Sequence, residues 1–504
     1  MVLVLRALNL LLFHDVKPSE ILVCTFTEKA AATLKDRITR ALRDVGKEMD
    51  LTELSVGTVH SICNSLIEEF LDSTHLNRGY EVLNDLTQIL FLHEHYYQII
   101  RHPDPLARAH WPSIEVAAEY FNRITEECVD PEDLAQSEDE YLERIATLYK
   151  RYEDELREAN SVDFAHLQSI VLELLRDSES GPKLKERFRY VMVDEYQDTN
   201  YIQERLFLEL VKDTSNLCVV GDEDQSLYRF RGATVQNILQ FPNHFDEISL
   251  VNLGTNYRST PGIIEFVSNF IHDGTWTDAT GKEYRYDKPL EAFRPSLDNS
   301  VPSVYVTNEP EPREVARFIK RILQSNAVSD LNQIAILLRS VKRDGPAFFR
   351  ALEAESVPYY APRAQRFMQL PIVRLVIGTL IETLSYDVQD CWNDELRDFY
   401  DECKSMLLSD GSNELMDSIA QESQAINALE VGGSLKKGIV DLFYEALGKE
   451  PFLSGLRDEV GARCIAMLTD YLTKFQEYYR LPVIRENTIK KIRRNLFNSY
   501  LYVL

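Results

Sequence analysis

The chain has 504 residues, 44% of them hydrophobic, which gives room for about three or four domains with real cores and excludes a disordered chain. Its formal net charge of −26 is awkward for a nucleic-acid binder, although overall charge does not exclude a local basic groove. Seven cysteines form no CxxC pair, so neither a metal site nor a disulfide framework is indicated and a reducing cytoplasm fits.

The first residues, MVLVLRALNLLLF, have no basic region before the apolar run and no small-residue cleavage site after it, which argues against a signal peptide. At about a dozen residues the run is too short to span a bilayer. Val2–Phe13 reads as a buried helix, apolar on most of its surface, without an N-cap, so the chain starts inside an element. Ile21–Cys24 reads as a strand ending in Thr25-Phe26-Thr27. Ala30, Leu34, Ile38 and Leu42 then recur at helical spacing over Glu28–Leu42, with Thr27 as N-cap. Leu54–Val59 predicts a second strand, followed by His60-Ser61. From about Leu66 to Arg187 the pattern is almost wholly helical, and Tyr141, Ile145, Leu148, Tyr152 and Leu156 mark one long amphipathic helix. Much of the acid lies roughly between Glu115 and Glu158, read as a solvated face.

The stretch Arg189–Ala233 organises the rest. Two apolar runs, Tyr190–Val193 and Leu217–Val220, each end abruptly in acidic residues, as strands buried on both faces of a parallel sheet do. Ile202, Leu206, Phe207 and Leu210 between them predict a connecting helix. Ligands in open α/β sheets bind beyond the carboxyl ends of the strands, where Asp194, Glu195, Gly221, Asp222 and Gln225 fall. Asp194 is suited to hold Mg²⁺ through its water shell. Glu195 is suited to orient or deprotonate a water attacking a γ-phosphate, and Gln225 to sense that phosphate. Two ordinary strands with acidic loops are the plain alternative.

DEYQDTN (Asp194–Asn200) and VGDEDQSLYRFRGA (Val220–Ala233) closely resemble motifs II and III of the UvrD/Rep/PcrA family of superfamily 1 DNA helicases. TFTEKAA, beginning at Thr25, resembles motif Ia, and TVHSIC, beginning at Thr58, resembles motif Ib. The resemblance implies that Thr25, Phe26, Thr58 and His60 contact single-stranded DNA; a capped helix with a buried Phe26 is the structural alternative. SVDFAHL (Ser161–Leu167) resembles a short family signature that precedes the return to the sheet. Tyr228, Phe230 and Arg231 are implied DNA contacts, with Phe230 where the family commonly has Trp. NYRS (Asn256–Ser259) resembles motif IV, which assigns Arg258 to the γ-phosphate and Tyr257 to stacking on adenine. ATP and Mg²⁺ are the implied cofactors, with Asp194 on the metal, Glu195, Gln225 and Arg258 catalytic, and Gln225, Asp222, Tyr257 and Arg258 around the nucleotide.

Further along, Ile248–Leu253, Val304–Val306 and Ile334–Leu338 predict strands and Arg313–Leu323 a helix. Asp273–Ser300 looks like an extended loop. From about Pro371 the pattern is helical, ending in a basic helix (Arg485, Lys490, Lys491, Arg493, Arg494) read as a solvated amphipathic face, with a contact to duplex phosphates as the alternative.

The expected architecture is α/β, with two RecA-like domains of the P-loop NTPase type, each with a helical insertion. The first domain spans 1–65 and 188–253, its insertion 66–187, the second, incomplete domain 254–370 and its insertion 371–504. The phosphate loop GxxxxGK[ST] does not occur; Gly281-Lys282-Glu283 and Gly448-Lys449-Glu450 lack both the upstream glycine and the Ser/Thr. Motifs V and VI are also missing, so the chain reads as a fragment. The resemblance implies an ATP-dependent 3′-to-5′ DNA helicase acting at single strands and duplex junctions in repair or recombination, with repair proteins as candidate partners. An ATPase-dead DNA- or partner-binding remnant is one alternative. The motor of a helicase–nuclease is another, although no nuclease-like carboxylate cluster with a Lys stands out.

Overall fold

A computed structural model describes residues 1–100, 110–227, 234–274, 285–286, 288–295, 304, 311–325, 328, 330–359, 361, 368, 370–391, 393–457 and 459–501. These fall into two compact units, Met1–Val304 and Tyr305–Leu504. Among the described residues no helix is long and apolar enough to cross a membrane.

In the first unit the strands, in chain order, are β1 (Ile21–Thr25), β2 (Ser55–Thr58), β3 (Glu81–Leu83), β4 (Ser161–Asp163), β5 (Tyr190–Val193) and β6 (Leu217–Val219). Four of them form a parallel sheet in the order β2-β1-β5-β6. Cys24 lies opposite Gly57 on one side and Val193 on the other, and Val193 lies opposite Val219. The carboxyl ends of all four strands therefore share one edge.

The apolar runs are continuous because both faces are covered. Leu22, Cys24, Val191 and Val193 face one layer, packed with Cys63, Leu66 and Ile67 of helix Val59–Glu69 and with Ile202, Leu206 and Phe207. Ile21, Val23 and Met192 alternate to the other face, against Leu3, Val4, Ala7 and Leu10 and against Leu34, Ile38 and Leu42. The helix Val2–Phe13 forms as predicted but is buried along one stripe only; Leu5 and Phe13 stand 59% and 77% exposed. A helix lying on a sheet face has only one side to bury.

The second predicted strand is shorter than expected. Val59 opens a helix because the Thr58 hydroxyl accepts the Ser61 N–H at 3.2 Å and caps it. The region after Leu66 is not wholly helical, since β3 and β4 pair in parallel. Asp163, at the end of β4, caps helix Phe164–Arg176 through the His166 N–H at 2.8 Å. Its other oxygen accepts from Tyr152 at 2.7 Å and Gln88 at 3.2 Å. The amphipathic helix is Glu140–Glu158, with Ile145, Leu148, Tyr152 and Leu156 buried and Tyr141 at its exposed start.

Ile248–Leu253 is not a strand: Leu250, Val251 and Leu253 are exposed, and no ladder neighbour lies beside the run among the described residues. The only pairing in this part is β7 (Thr255–Asn256) with β8 (Glu291–Ala292), again among the described residues. The expected loop Asp273–Ser300 falls largely outside the described residues, as does Gly281-Lys282-Glu283.

In the second unit helix Pro312–Gln324 packs on Val341–Ala354 through Ala316, Ile319, Ala351 and Leu352. Ile334–Leu338 forms no strand, and Leu337 is 93% exposed, again without a paired neighbour among the described residues. Val304 carries no regular structure, and 305–306 lie outside the described residues. Helices follow from Pro371. Gly378 lets Pro371–Thr383 approach Asp394–Asp410 closely, since a Cβ there would stand 2.5 Å from the Cys403 carbonyl oxygen. The basic helix, Ile489–Asn495, buries Ile492, while Arg493 reaches back to the Leu384 carbonyl and to Asn427 at 3.0 Å.

Candidate functional site

The edge made by the strand ends gathers most of the predicted residues. Asp194 follows β5 directly, and its N–H donates to the Cys24 carbonyl at 2.9 Å, extending the ladder with β1 by one more bond. Val220 does the same with Val193, at 2.9 Å. The chain then turns sharply. Glu195 adopts φ 53, ψ 44, the left-handed region, and Tyr196 N–H crosses to the Val220 carbonyl at 3.0 Å. Such a conformation costs a non-glycine residue roughly 1–2 kcal/mol and persists where its surroundings enforce it. Here it lifts an exposed carboxylate off the end of the sheet.

Gln197, which sequence reasoning missed, ties the edge together. It is 1% exposed; its side-chain N–H donates to Glu195 at 2.8 Å, and its carbonyl oxygen accepts the Asp222 N–H at 3.0 Å. Gly221 makes room for this bridge, because a Cβ there would meet Gln197 Oε1 and Ile238 Cδ1, each at 2.7 Å. The available signal was the Gln two residues after Glu195, within DEYQDTN.

The carboxylates are under strain from one another. Burial raises the Asp194 pKa, and the Glu195 charge adds to the rise. Burial pushes Asp198 up to about 6, again helped by Glu195, and its Oδ1 has no hydrogen-bond partner among the described residues. A cation would relieve both. No group of three or more His, Cys, Asp or Glu side chains able to hold a metal occurs among the described residues. This donor set fits an ion held by one or two carboxylates with the remaining ligands from water and phosphate, as Mg²⁺ prefers.

Around the second turn, Asp222 caps residues 223–225 by accepting the Asp224 N–H at 3.2 Å, and Gln225 donates to Asp222 at 2.6 Å. Gln225 is thus turned along its own loop. Tyr228, Phe230 and Arg231 lie outside the described residues.

At the neighbouring strand ends Thr25 is 3% exposed, the last residue of β1. The Thr58 hydroxyl is engaged, donating to Glu28 at 2.7 Å. Phe26 is 36% exposed, and Thr27 caps its helix by accepting the Ala30 N–H at 3.2 Å. His60 packs its ring on Phe164 at 4.9 Å and meets Gln168 at 3.3 Å; burial lowers its pKa, so it is neutral near pH 7. Tyr257 and Arg258 follow β7. Asn256 accepts the N–H groups of Arg258 at 2.9 Å and Ser259 at 2.8 Å, Tyr257 packs on Phe293 at 4.9 Å, and both Tyr257 and Arg258 are exposed. None of these contacts reaches Glu195.

A carboxylate edge that seeks a cation and an accessible aromatic at the neighbouring strand end are what the resemblance leads one to expect. The model of the UvrD/REP helicase N-terminal domain matches residues 1–246, and that of the UvrD-like helicase C-terminal domain matches residues 251–385. The protein called ATP-dependent DNA helicase PcrA in Staphylococcus epidermidis RP62A is 33% identical over 290 residues, 56% of this chain and 38% of that relative. The protein of the same name in Staphylococcus aureus Mu50 is 32% identical over 292 residues, with the same two shares. The match thus spans well under half the length of these relatives. Two successive models of one family, laid end to end over most of the sequence and over the strand-end edge itself, decide the matter: the chain belongs to the UvrD/Rep/PcrA family of DNA helicases.

Proposed function

We propose that this chain supplies the Mg²⁺–nucleotide edge and part of the single-stranded DNA groove of an ATP-dependent helicase moving 3′ to 5′. The observation that carries the reading is the Gln197 bridge, which joins Glu195 to Asp222 across the ends of β5 and β6. Asp194 holds the magnesium ion through its water shell, and the ion neutralises charge on phosphate oxygens when bound. Glu195, held by Gln197, accepts the proton of the attacking water. Arg258 compensates charge on the γ-phosphate, Tyr257 stacks on adenine, and Gln225 swings from Asp222 to sense the phosphate. Phe26 stacks on a base, with Thr25, Thr58, His60, Tyr228, Phe230 and Arg231 along the same strand of DNA. Domains at 1–65 with 188–253 and at 254–370, with insertions at 66–187 and 371–504, complete the proposed layout. A reducing cytoplasm suits a chain whose seven cysteines form no CxxC pair.

The sequence contains no GxxxxGK[ST], and so lacks the backbone cradle that this loop gives to phosphates. On that ground the polypeptide as written turns ATP over at little above background, while still binding single-stranded DNA. Fluorescence anisotropy with labelled oligothymidylate and an ATP turnover assay test this together. Salt-dependent binding to the single strand with weak turnover is expected. No rise in anisotropy with the labelled oligonucleotide, or DNA-stimulated turnover matching a complete family member, contradicts it.

A further inference from the structure

The acidic turn after β6 is gripped by a segment that sequence reasoning treated as loop. Arg285 donates to Asp224 through two parallel bonds of 2.9 and 2.8 Å. Lys288 contacts Asp222, Glu223 at 2.9 Å and Asp224 at 3.0 Å. The Tyr286 N–H donates to Glu223 at 3.0 Å, and its hydroxyl to the Ile238 carbonyl at 3.3 Å. These charges are largely shielded: the Arg285 and Lys288 side chains are 18% and 14% exposed, Glu223 and Asp224 8% and 11%. A fork of this kind on a carboxylate fixes geometry as well as charge.

Three residues beyond Lys288 the same segment becomes β8, pairing Glu291 with Thr255 and Ala292 with Asn256. The Phe293 N–H donates to the Asn256 carbonyl at 2.9 Å, and the Phe293 ring lies against Tyr257. Arg294 donates to the Tyr257 carbonyl at 3.2 Å. One short strap therefore holds the turn carrying Asp222 and Gln225 at one end and the backbone carrying Tyr257 and Arg258 at the other.

We propose that Arg285, Tyr286 and Lys288–Arg294 act as a coupling strap, in which Arg285 and Lys288 are positioning residues that transmit movement between the Asp222–Gln225 turn and the Tyr257–Arg258 segment. The proposal rests on the nucleotide reading of those two segments. Pulling the turn, when Gln225 leaves Asp222, moves the strap as a unit because Lys288 is held by three carboxylates rather than one. In the same way, DNA held by residues beyond the turn alters the position of Tyr257 and Arg258.

The test measures affinity for a fluorescent ADP (mant-ADP) with Mg²⁺, with and without saturating oligothymidylate of about 16 nucleotides. It uses the full chain, R285M/K288M and K288R. In the wild type the oligonucleotide is expected to change mant-ADP affinity by about 5-fold or more, within the usual range of coupling between sites. In R285M/K288M each ligand binds alone within about twofold of wild type while the coupling factor falls to near unity. K288R, which keeps the charge at that position, retains the coupling, which a merely structural role for the side chain does not predict. Should R285M/K288M lose its circular dichroism spectrum, Asp224→Asn replaces it, removing the Arg285 fork without changing shape; an intermediate factor is then expected. Coupling retained in R285M/K288M overturns the strap alone. Absence of mant-ADP binding by the wild type overturns the nucleotide reading, and the strap with it.

Discussion

The buried amide of Gln197 holds the Glu195 carboxylate at 2.8 Å while its other end takes the Asp222 N–H at 3.0 Å, so one side chain sets the spacing between two strand ends. Replacing it with Ala takes the partner from the half-buried Asp222 N–H, empties the space of a side chain that is 1% exposed, and leaves Glu195 unrestrained in its left-handed turn. Leaving a buried polar group unpaired costs about 1–3 kcal/mol. Gln197→Ala is expected to lower unfolding free energy in urea by that order, and a shift below about 0.5 kcal/mol contradicts the bridge.

Gly221→Ala probes the same bridge from the other side. The new Cβ meets Gln197 Oε1 and Ile238 Cδ1, each at 2.7 Å. Overpacking of this kind costs typically about 1–3 kcal/mol. Combining it with Gln197→Ala should recover part of the loss, because one clashing partner is gone. Additive losses in a double-mutant cycle contradict the contact.

The His166–Asp163 pair in the helical region predicts a pH window. Burial opposes the charged His166, but the Asp163 carboxylate at 2.8 Å outweighs it and raises the imidazole from 6.5 to about 10. A raised folded-state pKa contributes stability that is present in full below about 6.5 and is lost as pH climbs toward about 10. Burial also opposes the Asp163 charge, yet the His166 charge and hydrogen bonds lower its pKa below 3.8, so its contribution is present above that value and lost as pH falls. Urea midpoints are expected to be highest between these limits and to fall on the alkaline side. Asp163→Asn removes the nearer of the two carboxylates facing His166 and leaves Glu153 at 3.8 Å, so stability should drop by up to about 3–5 kcal/mol and the alkaline slope should become shallower. An unchanged slope contradicts the pairing.

Phe26, at the end of β1, is the accessible aromatic of its strand-end turn. Base stacking on an aromatic is worth about 1–3 kcal/mol by alanine substitution. Phe26→Ala is expected to weaken oligothymidylate binding by about that much with little change in the salt dependence, since no charge is removed. A variant with wild-type affinity places the groove elsewhere.

The first sheet was readable because its strands carry their own signal. Tyr190–Val193 and Ile21–Cys24 are continuous apolar runs that need cover on both faces, and acidic or hydroxyl residues end them abruptly. Ile248–Leu253 and Ile334–Leu338 carry the same local pattern and form no strand, because a parallel strand also needs a neighbour, which a local run does not encode. The placement of Asp194 and Glu195 was legible, because both follow directly on an apolar strand run. Gln197, Arg285 and Lys288 were not, since their roles arise from contacts 25 to 66 residues distant in the chain, as with Asp222 and Gln197 or Lys288 and Asp222.

Asp194, pushed up in pKa by burial and by Glu195, is proposed as the magnesium-holding carboxylate of a nucleotide edge. The direct measurement is a mant-ADP titration of the full chain with and without Mg²⁺, repeated with Asp194→Asn. Magnesium should tighten nucleotide binding in the wild type, and Asp194→Asn should erase that increment while leaving metal-free binding unchanged. Equal affinity with and without Mg²⁺ in the wild type, or an undiminished increment in Asp194→Asn, places the magnesium on another group or on none.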